Sequence, residues 1–272
     1  MTFSRILAAF AVLLMASPAL AAEGEQYEPE SHEWSFSSPV FGTFDPDELQ
    51  RGFQVYQEVC AACHALGQMS IRNLGEAGGP FYDPDYPNPN NNEVVRQIAA
   101  QYIIEDGPDE FGEMFERAGV PADRFPSPYP NQQAARASNG GAYPPDLSLI
   151  VKARGGGAEY VRSLMLGYDY ELPEDVTLRP GQYYNPYFPG GVLAMGPQLV
   201  DGRVSYTTRE GQAEVEATPE QMAHDVTAFL TWASDPHAVE RKRTGLAVMI
   251  FMLIFCGLLW FAYREVWANL EH

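Results

Sequence analysis

The five residues Cys60-Ala61-Ala62-Cys63-His64 restrict this chain more than any other stretch. Two thiols separated by two residues and followed at once by an imidazole form the pattern on which a c-type haem is attached. The thiols make thioether bonds to the vinyl groups, and the histidine binds iron. On one tight helical turn the two cysteines reach neighbouring edges of a single flat ring, and the adjoining imidazole lies under its centre. On the haem reading, the chain folds around a large planar group. A zinc site needs about four ligands; the only other cysteine, Cys256, sits in a long apolar run, which argues against zinc. A redox dithiol stays open on the motif alone.

The N-terminal residues bear on that choice. Arg5 precedes an apolar stretch from Ile6 to Met15, and Ala19-Leu20-Ala21 forms a small-residue site that predicts cleavage before Ala22. Export suits covalent haem attachment, which is expected on the outer side of a membrane. At the other end, Thr244 to Tyr263 is a run of 20 residues without a charge, flanked by Arg241, Lys242 and Arg243 before it and Arg264 after it. At about 1.5 Å per residue such a run matches a hydrocarbon core of about 30 Å. The basic residues crowd its N-terminal flank, against the usual cytoplasmic bias, while the signal peptide exports that same side; export of the bulk of the chain decides the orientation. The expected division is a signal peptide over 1–21, an exported haem domain over 22–240, an anchor over 241–265 and a short tail over 266–272. The haem domain is then periplasmic, on the inner membrane of a bacterium.

Between those ends lies room for one domain with a proper core. Its 36 Asp and Glu against 17 Lys and Arg give a formal charge of −19, which argues against nucleic acid and for a basic partner or simple solubility. Residues from Ala22 to about Phe41 are acidic and read as an extended, loosely held arm. Asp45, Pro46 and Glu48 mark a helix start with a capping box. Leu49, Phe53 and Tyr56 form a stripe running into Cys60, and Gly52 leaves space for a second helix to cross. That second helix is expected after Thr218-Pro219, where Met222, Val226, Phe229 and Leu230 recur until Ser234-Asp235-Pro236. Crossing terminal helices are shared by class I cytochromes c. The middle is loop-rich, with proline and asparagine from Gly79 to Pro145, one helix from Glu93 to about Ile104, and short helices over 146–154 and 157–167. Aromatic residues including Phe81, Phe111, Phe115 and Phe125 predict loops that pack. The fold class is mostly α with long irregular loops, a class I cytochrome c-like haem domain plus one C-terminal transmembrane helix.

If His64 binds one face of the iron, a methionine opposite it raises the reduction potential and suits an electron carrier. Met69 is too near His64 in sequence to reach the other face, while Met165 and Met222 lie on helical stripes where core packing is the ordinary role. Met195, in the glycine and proline loop Pro189 to Pro197, stands apart. Arg136, Arg154 and Arg162 are the inner cations available to haem propionates, and His224 and His237 read as structural or solvated. Two acidic clusters, Glu105, Asp106, Asp109, Glu110 and Glu113 in one and Glu171, Glu174 and Asp175 in the other, are candidate docking surfaces.

The chain resembles the cytochrome c1 family over nearly all of the mature sequence. The resemblance is carried by Arg51-Gly52-Phe53-Gln54-Val55-Tyr56, Glu113-Met114-Phe115, Pro128-Tyr129-Pro130-Asn131 and Ala134-Ala135-Arg136-Ala137. It continues in Pro144-Pro145-Asp146-Leu147-Ser148, Asn185-Pro186-Tyr187-Phe188-Pro189-Gly190 and Trp232-Ala233-Ser234. The resemblance implies one haem c on Cys60 and Cys63, axial His64 and Met195, and a propionate contact from Arg136. It implies the haem subunit of the cytochrome bc1 complex (quinol–cytochrome c oxidoreductase), with no substrate chemistry of its own. Its partners would be cytochrome b, a Rieske iron–sulfur protein, a soluble or anchored cytochrome c, and the lipid bilayer. One departure concerns the ligand loop. The family pattern is methionine, alanine, proline, proline; here it is Met195-Gly196-Pro197-Gln198, which puts the loop's rigidity in question. Competing readings are a free-standing membrane-anchored c-type cytochrome, an exported thiol oxidoreductase using Cys60 and Cys63, and a haem peroxidase with an open iron face.

Overall fold

The computed structural model describes residues 27–207 and 214–268; the expected signal peptide lies outside them. Helix α1 (Pro46–Val55) starts where the sequence predicts, with the Asp45 side chain accepting a hydrogen bond from the Asp47 N–H at 2.8 Å and Pro46 in the first turn. The expected capping box is absent. Glu48 turns inward instead, 5% exposed, with one oxygen 2.7 Å from His224 Nε2. The helix widens into a π turn, Tyr56–Cys60, closed by Ala61 N–H donating to the Tyr56 carbonyl at 2.8 Å. Such a turn holds one residue more than an α turn and is frequent at functional sites.

Helix α5 (Pro219–Ser234) is capped by Thr218, whose hydroxyl accepts from Gln221 N–H at 3.2 Å. It crosses α1 at Gly52, where a Cβ would sit 2.0 Å from the Asp225 carbonyl oxygen and 2.7 Å from Phe229 Cβ. Asp225 itself is fully buried, and the Arg51 guanidinium meets both its oxygens at 2.9 Å. Phe53 packs edge-on against Phe229, with ring centres 5.5 Å apart. This crossing is the centre of the core.

Elsewhere the structure departs from several expectations. The helix after Asn92 is α2 (Glu93–Ala99), which stops short of Ile104. The chain turns and enters strand β1 (Ile103–Asp106), paired antiparallel with β2 (Phe115–Ala118), so that Ile103 faces Ala118. Two adjacent β-branched residues favour extended backbone, and Arg117 pins the ribbon by bonding Asp106 and Asp123. Of the loop aromatics, Phe125 is buried, but Phe111 at the ribbon's end is 81% exposed and Phe115 44%. Residues 146–154 form a series of turns and no helix, and the Asp146 carboxylate takes the N–H groups of Gly67 and Ser148. Short helix α3 (Gln132–Ser138) follows the proline-rich stretch. Helix α4 (Gly157–Leu166) matches its prediction.

The N-terminal arm is docked rather than loose. Trp34 is 5% exposed and stacks on the His224 ring at 5.0 Å, while His32 Nε2 lies 2.8 Å from His224 Nδ1. Tyr27 N–H reaches the Pro186 carbonyl at 3.1 Å. Glu28, Glu30 and Glu33 are exposed, and Trp34 holds the described part of the arm down.

The last helix, α6 (Ala238–Trp267), has 30 residues, a mean hydropathy of 2.5 over its most apolar window, and no buried side chain. It is long and apolar enough to span a bilayer and anchors the protein in a membrane. The basic residues at its start are used by the domain. Lys242 Nζ donates to the Phe36 and Ser38 carbonyls at 3.0 and 2.9 Å, and Arg241 pairs with Asp235, which also holds Lys152 at 2.9 Å.

Two outcomes follow from these contacts. Gly52→Ala should destabilise the domain by about 1–3 kcal/mol, since the α1–α5 crossing must open to admit a methyl group; denaturant unfolding measures it. Partial burial works against the Asp235 carboxylate, but the bonds from Lys152 and Arg241 outweigh it and hold its pKa below the usual range. A carboxyl held low stabilises above its ordinary value near about 3.9 and loses that contribution as pH falls through the folded value. Proteolysis at the α5–α6 junction should therefore accelerate below pH of about 4, and Asp235→Asn should show fast cleavage at all pH.

Candidate functional site

The turn after the π segment sets the geometry of the motif. Cys63 N–H and His64 N–H both donate to the Cys60 carbonyl, at 3.1 and 2.9 Å, so the two thiols are held on one turn. His64 Nδ1 is 2.8 Å from the Pro145 carbonyl oxygen. A carbonyl only accepts, so Nδ1 carries the hydrogen and Nε2 keeps its lone pair. Burial lowers the His64 pKa, with the Pro145 bond acting the other way, and the ring is neutral at ordinary pH. A metal-binding imidazole needs that state, oriented by a bond to its second nitrogen. Burial, with a smaller push from Cys63, raises the Cys60 thiol to about 12. A redox dithiol works through a thiol of depressed pKa, so the environment of Cys60 opposes that reading.

Cys60, Cys63 and His64 open onto a cavity of about 330 Å³. Val226 and Leu230 of α5 form one wall, Val161 and Leu164 of α4 another, and Pro145, Leu147 and Ile150 line the loop side. Met195 lies on the same cavity, next to Leu193 and Gly196. An apolar slot that carries two adjacent thiols, an imidazole with a free nitrogen lone pair and a thioether has the donor set of a c-type haem with histidine and methionine axial ligands. The residues present fit the group.

The Met195 segment is carried by a small ribbon, β3 (Tyr183–Tyr184) paired with β4 (Val192–Leu193). Asn185 closes the turn between them. Its N–H donates to the Gly191 carbonyl at 2.8 Å, and Gly190 and Gly191 take φ of 78° and 71°, a region open to glycine. The Asn185 side chain, fully buried, donates to the Leu164 carbonyl at 2.8 Å and accepts from Tyr187 N–H at 3.1 Å. One amide thus joins the ribbon to the end of α4.

The other candidates are distributed differently. Arg136 is exposed and off the cavity wall; its Nη1 donates to the Gly141 carbonyl at 2.9 Å and its guanidinium lies 5.7 Å from the Tyr143 ring, which does line the cavity. Arg154 is on the wall, beside Tyr160. Met165 packs against the core as expected and also lines the cavity, with Val161 and Leu164 on the same face of α4. Met69 and Met222 are buried in the core, and Met114 is exposed. Glu48, His224 and Asp225 lie close enough to suggest a cation site, but Asp225 is committed to Arg51 and Gln221, and both His224 nitrogens are engaged by His32 and Glu48. They belong to a hydrogen-bond network joined to the Arg51–Asp225 ion pair.

Comparison with known proteins agrees with the geometry. The profile of the Cytochrome C1 family matches residues 34–270. The chain is 44% identical to the cytochrome b/c1 protein of Bradyrhizobium diazoefficiens, over 97% of this chain and 40% of that longer protein. It is 44% identical to the cytochrome c1 heme protein of Saccharomyces cerevisiae mitochondria, covering 96% of this chain and 79% of the relative. Cytochrome c1 of Rhodospirillum rubrum is 37% identical over 98% of this chain and 97% of its own length.

Asn185→Ala removes the partners of the Leu164 carbonyl and the Tyr187 N–H together. The expected cost is roughly 2 kcal/mol, read as a lower denaturant midpoint with an unchanged slope.

Proposed function

Because the chain belongs to the cytochrome c1 family, we propose that it is the membrane-anchored, haem-bearing electron-transfer subunit of a quinol–cytochrome c oxidoreductase. The observation that carries this reading is the convergence of Cys60, Cys63, His64 and Met195 on one apolar cavity. A haem c bound there supplies a one-electron Fe(III)/Fe(II) couple. The protein's own residues do the rest. Cys60 and Cys63 would hold the ring covalently. His64, oriented by Pro145, and Met195 would be the residues that bind the iron, a pair that favours the reduced state. The α4 and α5 walls would exclude water, and Arg154 on the cavity wall would supply a cation for a propionate, while Arg136 is held off the wall by Gly141 and Tyr143.

In this role the chain takes an electron from a Rieske iron–sulfur protein and passes it to a cytochrome c, beside cytochrome b in the same assembly. The exposed acidic runs Glu105 to Glu113 and Glu171 to Asp175 are suited to a basic electron acceptor. On this reading residues 1–21 serve as the export signal, and the haem domain lies on the periplasmic side of a bacterial inner membrane, held there by the anchor. A long exported domain translocates largely regardless of the basic residues at its boundary, which supports that orientation.

The purified full chain should show the sharp reduced bands of a c-type haem and the weak far-red band of methionine bound to Fe(III). Denatured protein should titrate one thiol, Cys256, of the three cysteines. Three reactive thiols and no visible absorbance would instead establish the dithiol reading.

A further inference from the structure

The backbone that carries Met195 is almost without support of its own. The β3–β4 ladder ends at Leu193, and among the described residues no backbone–backbone hydrogen bond involves residues 194–199. Three side chains take over. The Tyr168 hydroxyl donates to the Met195 carbonyl at 2.9 Å. Gln198 Nε2 donates to the Gly196 carbonyl at 3.0 Å, closing a short turn across Pro197. The Tyr183 ring fills the space beside Gly196, where a Cβ would lie 2.8 Å from its Cζ. Tyr168 is itself well placed to act as a fixed point. It follows Gly167 directly at the end of α4, and Gly167 is wedged against Asn185 and Tyr187 so closely that a Cβ would meet the Tyr187 ring at 2.6 Å.

We propose that Tyr168 and Gln198 are positioning residues that clamp the Met195 loop against the cavity, Tyr168 tying it to α4 and Gln198 stiffening the turn that follows the ligand. The proposal rests on the reading of Met195 as the axial ligand. A thioether is a weak, neutral ligand on a flexible side chain, so its occupancy of an axial position depends on how firmly its backbone is held. Without the clamp the loop can withdraw, the thioether leaves, and the vacated position admits small external ligands.

The test uses the full chain purified with its haem from the membrane, with potassium cyanide as the probe of the sixth position. Tyr168→Phe preserves the ring and removes only the donor. It should weaken the far-red band, lower the midpoint potential and bind cyanide about five- to ten-fold faster, the factor expected for one lost hydrogen bond. The reduced c-type bands should not change. Gln198→Ala should move the same readouts in the same direction by less, and carries the test if Tyr168→Phe fails to load haem. Met195→Leu should abolish the far-red band, while Met165→Leu should keep it. If Met195→Leu retains the band, the ligand assignment is wrong. If Met195→Leu loses it and the clamp variants match the wild type in all three readouts, the ligand stands and the clamp is refuted.

Discussion

The contact at Gly52 is where the packing of the whole domain is decided. Helices with ordinary side chains lie about 8–10 Å apart, and here a missing Cβ lets the α1 backbone press against the Asp225 carbonyl of α5. Close approach sets the register between the two helices, and the neighbouring Arg51–Asp225 pair fixes it. A buried carboxylate held by two guanidinium bonds adds little net stability, but removing one partner leaves a stranded charge at a cost of about 3–5 kcal/mol. The pair therefore punishes any slip of α1 along α5. That register is what brings Val226 and Leu230 opposite the Cys60 turn.

From this crossing the cavity follows as a shared product of distant segments. The α1 end and its π turn supply the thiols and His64, the 139–150 loop supplies the carbonyl that orients the imidazole, and the β3–β4 ribbon delivers Met195. None of these segments is stable alone, since each exposes an apolar face to the slot. Two methionines reach the wall, and their settings differ. Met165 sits within α4, where helix geometry fixes its direction, whereas Met195 rides on an irregular loop whose position is set by side-chain bonds. In that loop Gln198 makes a hydrogen bond where a second proline would restrict the backbone by its ring. Rigidity is supplied by a different means, one that a point substitution can remove.

The same economy appears at the membrane end. The arm, the domain and the anchor meet at the α5–α6 junction, where Lys242 binds the arm's carbonyls and Asp235 gathers Lys152 and Arg241. On the far side of α5 the chain His32, His224 and Glu48 pins the arm beneath Trp34. An electron-transfer domain gains from such bracing, because the distance between its haem edge and the membrane-bound partners is then set by the fold rather than by a linker.

Much of this was legible in the sequence because it depends on local chemistry. Helix starts at Asp45 and Thr218, the tight crossing at Gly52, the haem motif and the charge-free anchor follow from residue types at fixed spacing, which act within a turn or two. What failed did so where long-range contacts override local preference. Glu48 left its capping box for His224, residues 103–106 became a strand on finding 115–118, and an acidic arm was held down by Trp34. The sequence by itself determined that this chain carries the means to attach a haem and to anchor in a membrane. Only the tertiary structure decided which side chains share the cavity, that Met165 stands there with Met195, and that Arg154 rather than Arg136 lines it. The reason is that a cavity belongs to no single segment: its walls exist only once helices far apart in sequence have crossed.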